Sequence, residues 1–238
     1  QELTRMMAES LLDVTTIQQT LLKNLGEVDA AVLQQARINR DLQQELMRTR
    51  TVPFSNLNER LYRIVRQTAR ELDKKANLEI RDSHVELDRS VLEKIGAPLE
   101  HMLRNAIAHG LESPDARRAA KKSEIGEISL TLRQESNEIV IIVSDDGAGL
   151  DLEKLRRKGL EKGLLEAGRD PSEAELIQLI FTPGFSTAEE ITELSGRGVG
   201  MDVVRSEITG IGGRIESATI HGKGTTFTIR LPMAESDT

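Results

Sequence analysis

The chain has 238 residues, 38% hydrophobic and 30% charged, with a formal net charge of −7. This is an ordinary soluble composition, long enough for one or two domains, and its acidity argues against a nucleic-acid surface. The lack of cysteine excludes disulfides and thiolate metal sites and fits a reducing compartment, and no apolar run reaches the roughly 18–20 residues that span a bilayer.

Residues 1–50 stand apart, with no proline, no aromatic residue and one glycine, Gly26. Met7, Leu11, Val14, Gln18, Leu21, Leu25, Val28, Val32, Gln35, Asn39, Leu42 and Leu46 follow heptad spacing, and nine of these twelve are apolar. Gly26, followed by the acids Glu27 and Asp29, predicts two antiparallel helices joined at about 24–28. One continuous coiled coil is the competing reading. A lone hairpin cannot bury both sides of its stripe, so a dimer through this segment, forming a four-helix bundle, is expected. Packing of the hairpin on the rest of its own chain is the alternative.

Pro53 breaks the pattern within "RTRTVPFSN", and the domain boundary is placed there. Leu57, Leu61, Ile64, Val65, Thr68, Ala69 and Leu72 predict a helix. "LEIRDSHVELD" predicts one or two edge strands. Apolar residues from Leu92 to Ile107 recur at helical spacing over 89–109, and Gly110 is expected to end that helix. Ser113 and Pro114 open a short helix. "EISLTLRQE" and "EIVIIVSDD" predict a hairpin, as do "GGRIESATI" and "GTTFTIRLP" at the end of the chain. Helices are expected at about 151–162, 172–180 and 200–211. The fold class is α+β, helices layered on one face of a mixed sheet, not a doubly wound parallel sheet.

Four stretches carry candidate chemistry. In "HMLRNAIAHG", His101, Asn105 and His109 share one helix face at i, i+4 and i+8. A solvated polar line and a metal site both remain open, and Asn105 is a hard oxygen donor suited to Mg2+ rather than zinc. In "SDDGAGLD", Asp145 and Asp146 follow a buried apolar strand and precede Gly147 and Gly149. A calcium loop lacks the spacing, which leaves a plain turn or a nucleotide-base pocket. In 181–204, Gly196, Gly198 and Gly200 precede a helix and suit a phosphate cradle, with the Gly/Ser/Thr-rich segment before them as a lid. In "HGKGTTFTIRLP", Gly224 and Thr225 read alone as a hairpin turn.

In this order, "HxxxN", "DDGAG", "FTPGFST…GRGVGMDVV" and "GKGTTFTIRLP" resemble the N, G1, F, G2 and G3 boxes of the histidine-kinase ATP-binding domain of the GHKL superfamily. "HMLRNAIAHGLE", "TPGFST" and "SGRGVGMDVV" are closer still to the CheA-type kinases of chemotaxis and type IV pilus signalling. The resemblance runs from about Met47 to Met233. Residues 1–50 resemble the CheA dimerisation domain in position and pattern only.

The resemblance implies a helical-hairpin dimerisation domain over 1–50 and a GHKL (Bergerat-type) α/β sandwich over 51–238. It implies ATP and Mg2+, with Asn105 on the metal and Asp145 on the adenine amino group. Gly147 and Gly149 shape the base pocket, Gly196, Gly198 and Gly200 frame the phosphate end and the lid over 181–198, and Gly224 with Thr225 closes the base side. His101 stands where ATP-hydrolysing members carry a catalytic glutamate, which suits transfer to another acceptor. His109, Lys154 and Lys158 are implied as triphosphate contacts. Ala108 departs from the pattern, which usually has an acid there. The implied activity is transfer of the ATP γ-phosphoryl group to a histidine on a separate phosphotransfer domain. An ATP-driven clamp and a nucleotide-binding dimer scaffold are the alternatives. The implied setting is cytoplasmic, without nucleic acid or membrane insertion. The abrupt ends of the chain are those expected of the core of a larger kinase. Its phosphotransfer domain, and the segments serving an adaptor, a receptor complex and a response regulator, would lie outside it.

Overall fold

The computed structural model describes residues 2–185 and 200–233, excepting the side chains of 2–5, 7–10, 12–13 and 43–49. The chain divides into two compact units, Gln1–Arg50 and Thr51–Thr238.

The first unit is one continuous helix, α1 (Glu2–Arg50). This corrects the expected hairpin joined at 24–28. Gly26 has no positive φ. Inside a helix it costs only about 1 kcal/mol relative to alanine. Lys23 and Glu27 pair across it at 3.9 Å. No proline is present to stop the helix. A turn at Gly26 would forfeit helical hydrogen bonds, and a glycine alone does not force that loss.

In the second unit, β1 (Thr51–Pro53) leads through a 3-10 turn, Phe54–Leu57, into α2 (Asn58–Glu71). Strands β2 (Ala76–Arg81) and β3 (Glu86–Asp88) precede α3 (Arg89–Asn105), and a π turn, Ala106–Gly110, follows it. After α4 (Pro114–Ala119) come β4 (Gly126–Glu135), β5 (Glu138–Asp145), α5 (Leu152–Glu161) and α6 (Glu173–Gln178). A 3-10 turn, Leu179–Phe181, closes α6, and α7 (Met201–Gly210), β6 (Arg214–Ile220) and β7 (Gly224–Pro232) complete the described chain.

The main sheet has the order β2-β4-β5-β7-β6. Only β2–β4 is parallel; β4–β5, β5–β7 and β6–β7 are antiparallel. The α+β class and both late hairpins are therefore present. β1 and β3 form a separate antiparallel pair.

Alternation decides which face of the sheet is dry. Ile128, Leu130 and Leu132 on β4, Ile139, Ile141 and Val143 on β5, and Ile229 and Leu231 on β7 are buried. They meet Leu61 and Val65 of α2, Ile95, Leu99 and Leu103 of α3, and Val204 and Ile208 of α7 in one core. Side-chain caps set helix starts as their sequences dictate, among them Asp88, which accepts from Ser90 N before α3, and Ser113, which accepts from Ala116 N before α4.

Candidate functional site

The period of β5 places Asp145 on the same face as Ile139, Ile141 and Val143, and it lies opposite Ile128 in the ladder. Its carboxylate is thus sent into the helix–sheet layer, where it is buried. A buried charge needs donors. Gly147 N–H donates to Asp145 Oδ1 at 2.9 Å, and Thr225 N–H also bonds the carboxylate. Burial still wins and holds this carboxyl above its usual range, with the charges of Asp146 and Glu112 adding to the effect.

Three glycines make room around Asp145. A Cβ on Gly224 would lie 1.8 Å from Asp145 O, and one on Gly147 would lie 2.0 Å from Gly110 O. A Cβ on Gly110 would sit 3.2 Å from the Asp145 carboxylate. Gly110 was expected as an ordinary helix stop, but it has no positive φ. What it supplies is close approach to the acid. Gly149, at φ +78°, faces Ile220 O, to which an added Cβ would come within 2.7 Å. Thr219 Oγ1 accepts from Leu150 N–H at 2.8 Å and also lies 3.2 Å from Thr225 Oγ1, joining the loop after β5 to the β6–β7 hairpin.

The helix carrying His101 and Asn105 differs from the expectation. It is α-helical only to Asn105, and Leu111 N–H bonds Ala106 O at 2.7 Å to close the π turn. The straight i, i+4, i+8 line therefore ends at Asn105, and His109 lies exposed on the wider turn. The cause is upstream. Lys74 Nζ donates to the carbonyls of Ile107 (2.7 Å), Ala108 (2.9 Å) and Leu111 (2.7 Å). It collects the carbonyls that a regular helix would leave free at its C-terminus. Burial holds Lys74 below the usual amine range, and Glu112 partly opposes this.

His101 is half-buried on α3. Burial, then the Arg104 charge, hold its imidazole below the usual range against Glu207 and Glu100. Its Nδ1 is buried without a hydrogen-bond partner among the described residues. Asn105 Nδ2 donates to Met201 Sδ at 3.5 Å, at the start of α7. That use of the amide nitrogen leaves Oδ1 for a ligand. Among the described residues no cluster of three or more His, Cys, Asp or Glu could hold a metal on its own. A single oxygen donor of this kind fits Mg2+, which keeps several waters and shares phosphate oxygens.

Gly200 caps α7 without a side-chain bond. Gly196 and Gly198 lie outside the described residues, as does the lid from 186 onward. Lys154 and Lys158 share one face of α5, four residues apart.

Sequence reasoning missed the group behind Asp145. The resemblance assigns Asp146 no contact of its own. Instead it receives both ends of the Arg117 guanidinium, Nη1 to Oδ1 at 3.0 Å and Nη2 to Oδ2 at 2.9 Å. Arg117 is 1% exposed. No local pattern in "SPDARRAA" separates Arg117 from its neighbour Arg118.

The fold is an α/β sandwich of helices on a mixed sheet, with the buried Asp145 carboxylate packed among glycines at the end of β5. The model for the family described as histidine kinase-, DNA gyrase B-, and HSP90-like ATPase matches residues 95–235, and the chain belongs to that family. It is similar to the chemotaxis protein CheA of Bacillus subtilis, 39% identical over 213 residues, covering 89% of this chain and 32% of that protein. The chemotaxis protein CheA of Klebsiella aerogenes is 43% identical over 208 residues, 87% of this chain and 32% of that one. The sensor histidine kinase CheAY of Helicobacter pylori is 42% identical over 214 residues, 89% of this chain and 26% of that one. The chain thus spans a third or less of the length of these curated relatives. No helix among the described residues is long and apolar enough to cross a membrane.

Proposed function

We propose that this chain is the dimerisation and catalytic core of a protein-histidine kinase of the CheA type, acting in the cytoplasm. It would transfer the γ-phosphoryl group of Mg-ATP to a histidine on a separate phosphotransfer domain. A bond from phosphorus to a histidine nitrogen forms, the bond to the β–γ bridging oxygen breaks, and ADP leaves. The observation that carries this reading is Asp145, a buried carboxylate at a core position of β5 with three glycines packed against it or its loop. An acceptor there suits the 6-amino group of adenine and opposes the 6-carbonyl of guanine. A hydrogen bond to a charged group is worth about 1.5–3 kcal/mol. The similarity to CheA proteins supports the rest.

Gly147, Gly149, Gly224 and Thr225 form the base pocket in this reading. Asn105 offers Oδ1 to the metal, and Mg2+ when bound neutralises phosphate charge. Gly196, Gly198 and Gly200 serve the phosphate end, with His109, Lys154 and Lys158 as its cationic and polar contacts. His101, held neutral by its surroundings, suits an orienting or proton-accepting role toward the acceptor. Residues 1–50 serve as the dimerisation domain and 51–238 as the catalytic domain. An adaptor, a receptor complex and a response regulator are the partners of the whole protein.

The test mixes this chain with a phosphotransfer domain from a CheA relative and labelled Mg-ATP. Label is expected on that domain, and Asn105→Ala is expected to abolish it while ATP binding and the melting curve survive. A folded, ATP-binding chain that transfers nothing would sink the kinase reading. Steady phosphate release without an acceptor would favour an ATP-driven clamp.

A further inference from the structure

We propose that Arg117, assisted by Lys122, is the positioning group for base recognition, holding the peptide whose N–H aims the Asp145 carboxylate. This rests on the reading that Asp145 binds adenine. The peptide unit between Asp146 and Gly147 carries the argument. Its N–H, on Gly147, donates to Asp145 Oδ1 at 2.9 Å. Its carbonyl, Asp146 O, receives Lys122 Nζ at 2.9 Å and Arg117 Nη1 at 3.3 Å. A peptide is planar, so two cations on its oxygen fix the direction of its N–H. They also polarise it, which strengthens the bond it gives.

The anchoring is complete on the cation side. The Arg117 guanidinium also bonds Ser123 O (2.6 Å), Ile125 O (3.4 Å), Glu112 Oε1 (3.1 Å) and both Asp146 carboxylate oxygens. Lys122 Nζ adds Glu112 Oε2 and Gly147 O, each at 2.8 Å. Burial pushes the Glu112 carboxyl up, but the bonds and charges of Lys122 and Arg117 outweigh it and hold it ionised below the usual range. The neighbouring Arg118 is the contrast. Its side chain is 58% exposed and, among the described residues, pairs only with Asp115 and Glu124 at the surface. An arginine buried to 1% with every donor group engaged is a costly arrangement, and a solubilising surface pair does not need it.

The distinguishing consequence is selectivity. A group that aims Asp145 affects recognition of the adenine amino group and leaves the phosphate contacts alone. ATP and GTP affinities are measured with Mg2+ by competition against a fluorescent ATP analogue, which reaches weak constants. The chain is compared with Arg117→Gln, Arg117→Lys and Lys122→Met, and thermal melts establish that each is folded. Arg117→Gln is expected to weaken ATP at least about tenfold and GTP by less than about twofold, so that the preference collapses. Arg117→Lys keeps the charge without the planar fork and is expected to fall between. Parallel losses for ATP and GTP, or an unchanged preference, would overturn the proposal. If Arg117→Gln does not fold, the same ratio in Arg117→Lys and Lys122→Met decides it. A parent chain that binds both nucleotides alike, or neither, overturns the adenine reading of Asp145 and this proposal with it.

Discussion

Asp145 sits in conflict with its surroundings, and the conflict has a measurable sign. Its folded carboxyl is raised chiefly by burial. Such a group favours the fold fully below its unfolded value of about 3.9, and that contribution is lost as pH rises through the raised folded value. At neutral pH the charged Asp145 therefore costs stability. Asp145→Asn removes the charge and keeps an acceptor oxygen for Gly147 N–H. The empty variant is expected to melt higher at pH 7, by roughly 2–4 °C per kcal/mol recovered. The advantage shrinks as the pH falls toward about 4. ATP affinity is expected to drop at least about tenfold, because the ionised acceptor is gone. Calorimetric melts across pH with parallel ATP titrations check both halves. A variant that melts lower at pH 7 would mean that the carboxylate stabilises the fold. Gly224 offers a separate residue-scale test. It combines φ +117° with the contact to Asp145 O, so Gly224→Ala is expected to cost on the order of 3 kcal/mol in a denaturant titration.

At the scale of elements, the turn after α3 depends on a residue far away in sequence. Lys74 lies just past α2, yet its ammonium collects three carbonyls of the segment carrying His109 and leading to Gly110. Lys74→Met keeps the stem and removes the donors. It is expected to destabilise the second unit by about 2 kcal/mol or more, because buried carbonyls lose a charged partner. Hydrogen exchange should show faster opening of 106–111 than of β4 or β5. Equal exchange would mean that the turn holds by itself. This dependence explains what the sequence shows and what it hides. Period-2 and period-3.6 patterns reveal α2, α3 and both hairpins because local burial writes them into the chain. Asp145 is visible too, as an acid at the next core position after Ile139, Ile141 and Val143. The π turn held by Lys74 and the clasp of Arg117 on Asp146 are set by contacts 29 or more residues apart, and no local period records them. Gly26 misled for the opposite reason: a local breaker signal was weighed above the competing continuous helix, which tolerates it.

For the whole molecule the open issue is α1. Leu11, Val14, Leu21, Leu25, Val28, Val32 and Leu42 are each 54–67% exposed along its length. A monomer rarely leaves so long an apolar stripe in water. The heptad spacing fits a helical partner, and a second copy of the same stripe is self-complementary. The chain is therefore expected to sediment as a dimer. Each buried Leu or Val is worth about 1.5 kcal/mol or more, and a charge in a seam is worse than a loss. Leu21→Glu with Val28→Glu should give a monomer, since each change counts once per copy. The ATP constant of that monomer is expected to stay within about twofold of the parent's, because every nucleotide contact named above lies between residues 101 and 225. Sedimentation equilibrium and an ATP titration on one sample decide the matter. A variant that remains dimeric would place the interface elsewhere. A monomer with weakened ATP binding would show that pairing and the nucleotide site are coupled, which nothing within the second unit alone requires.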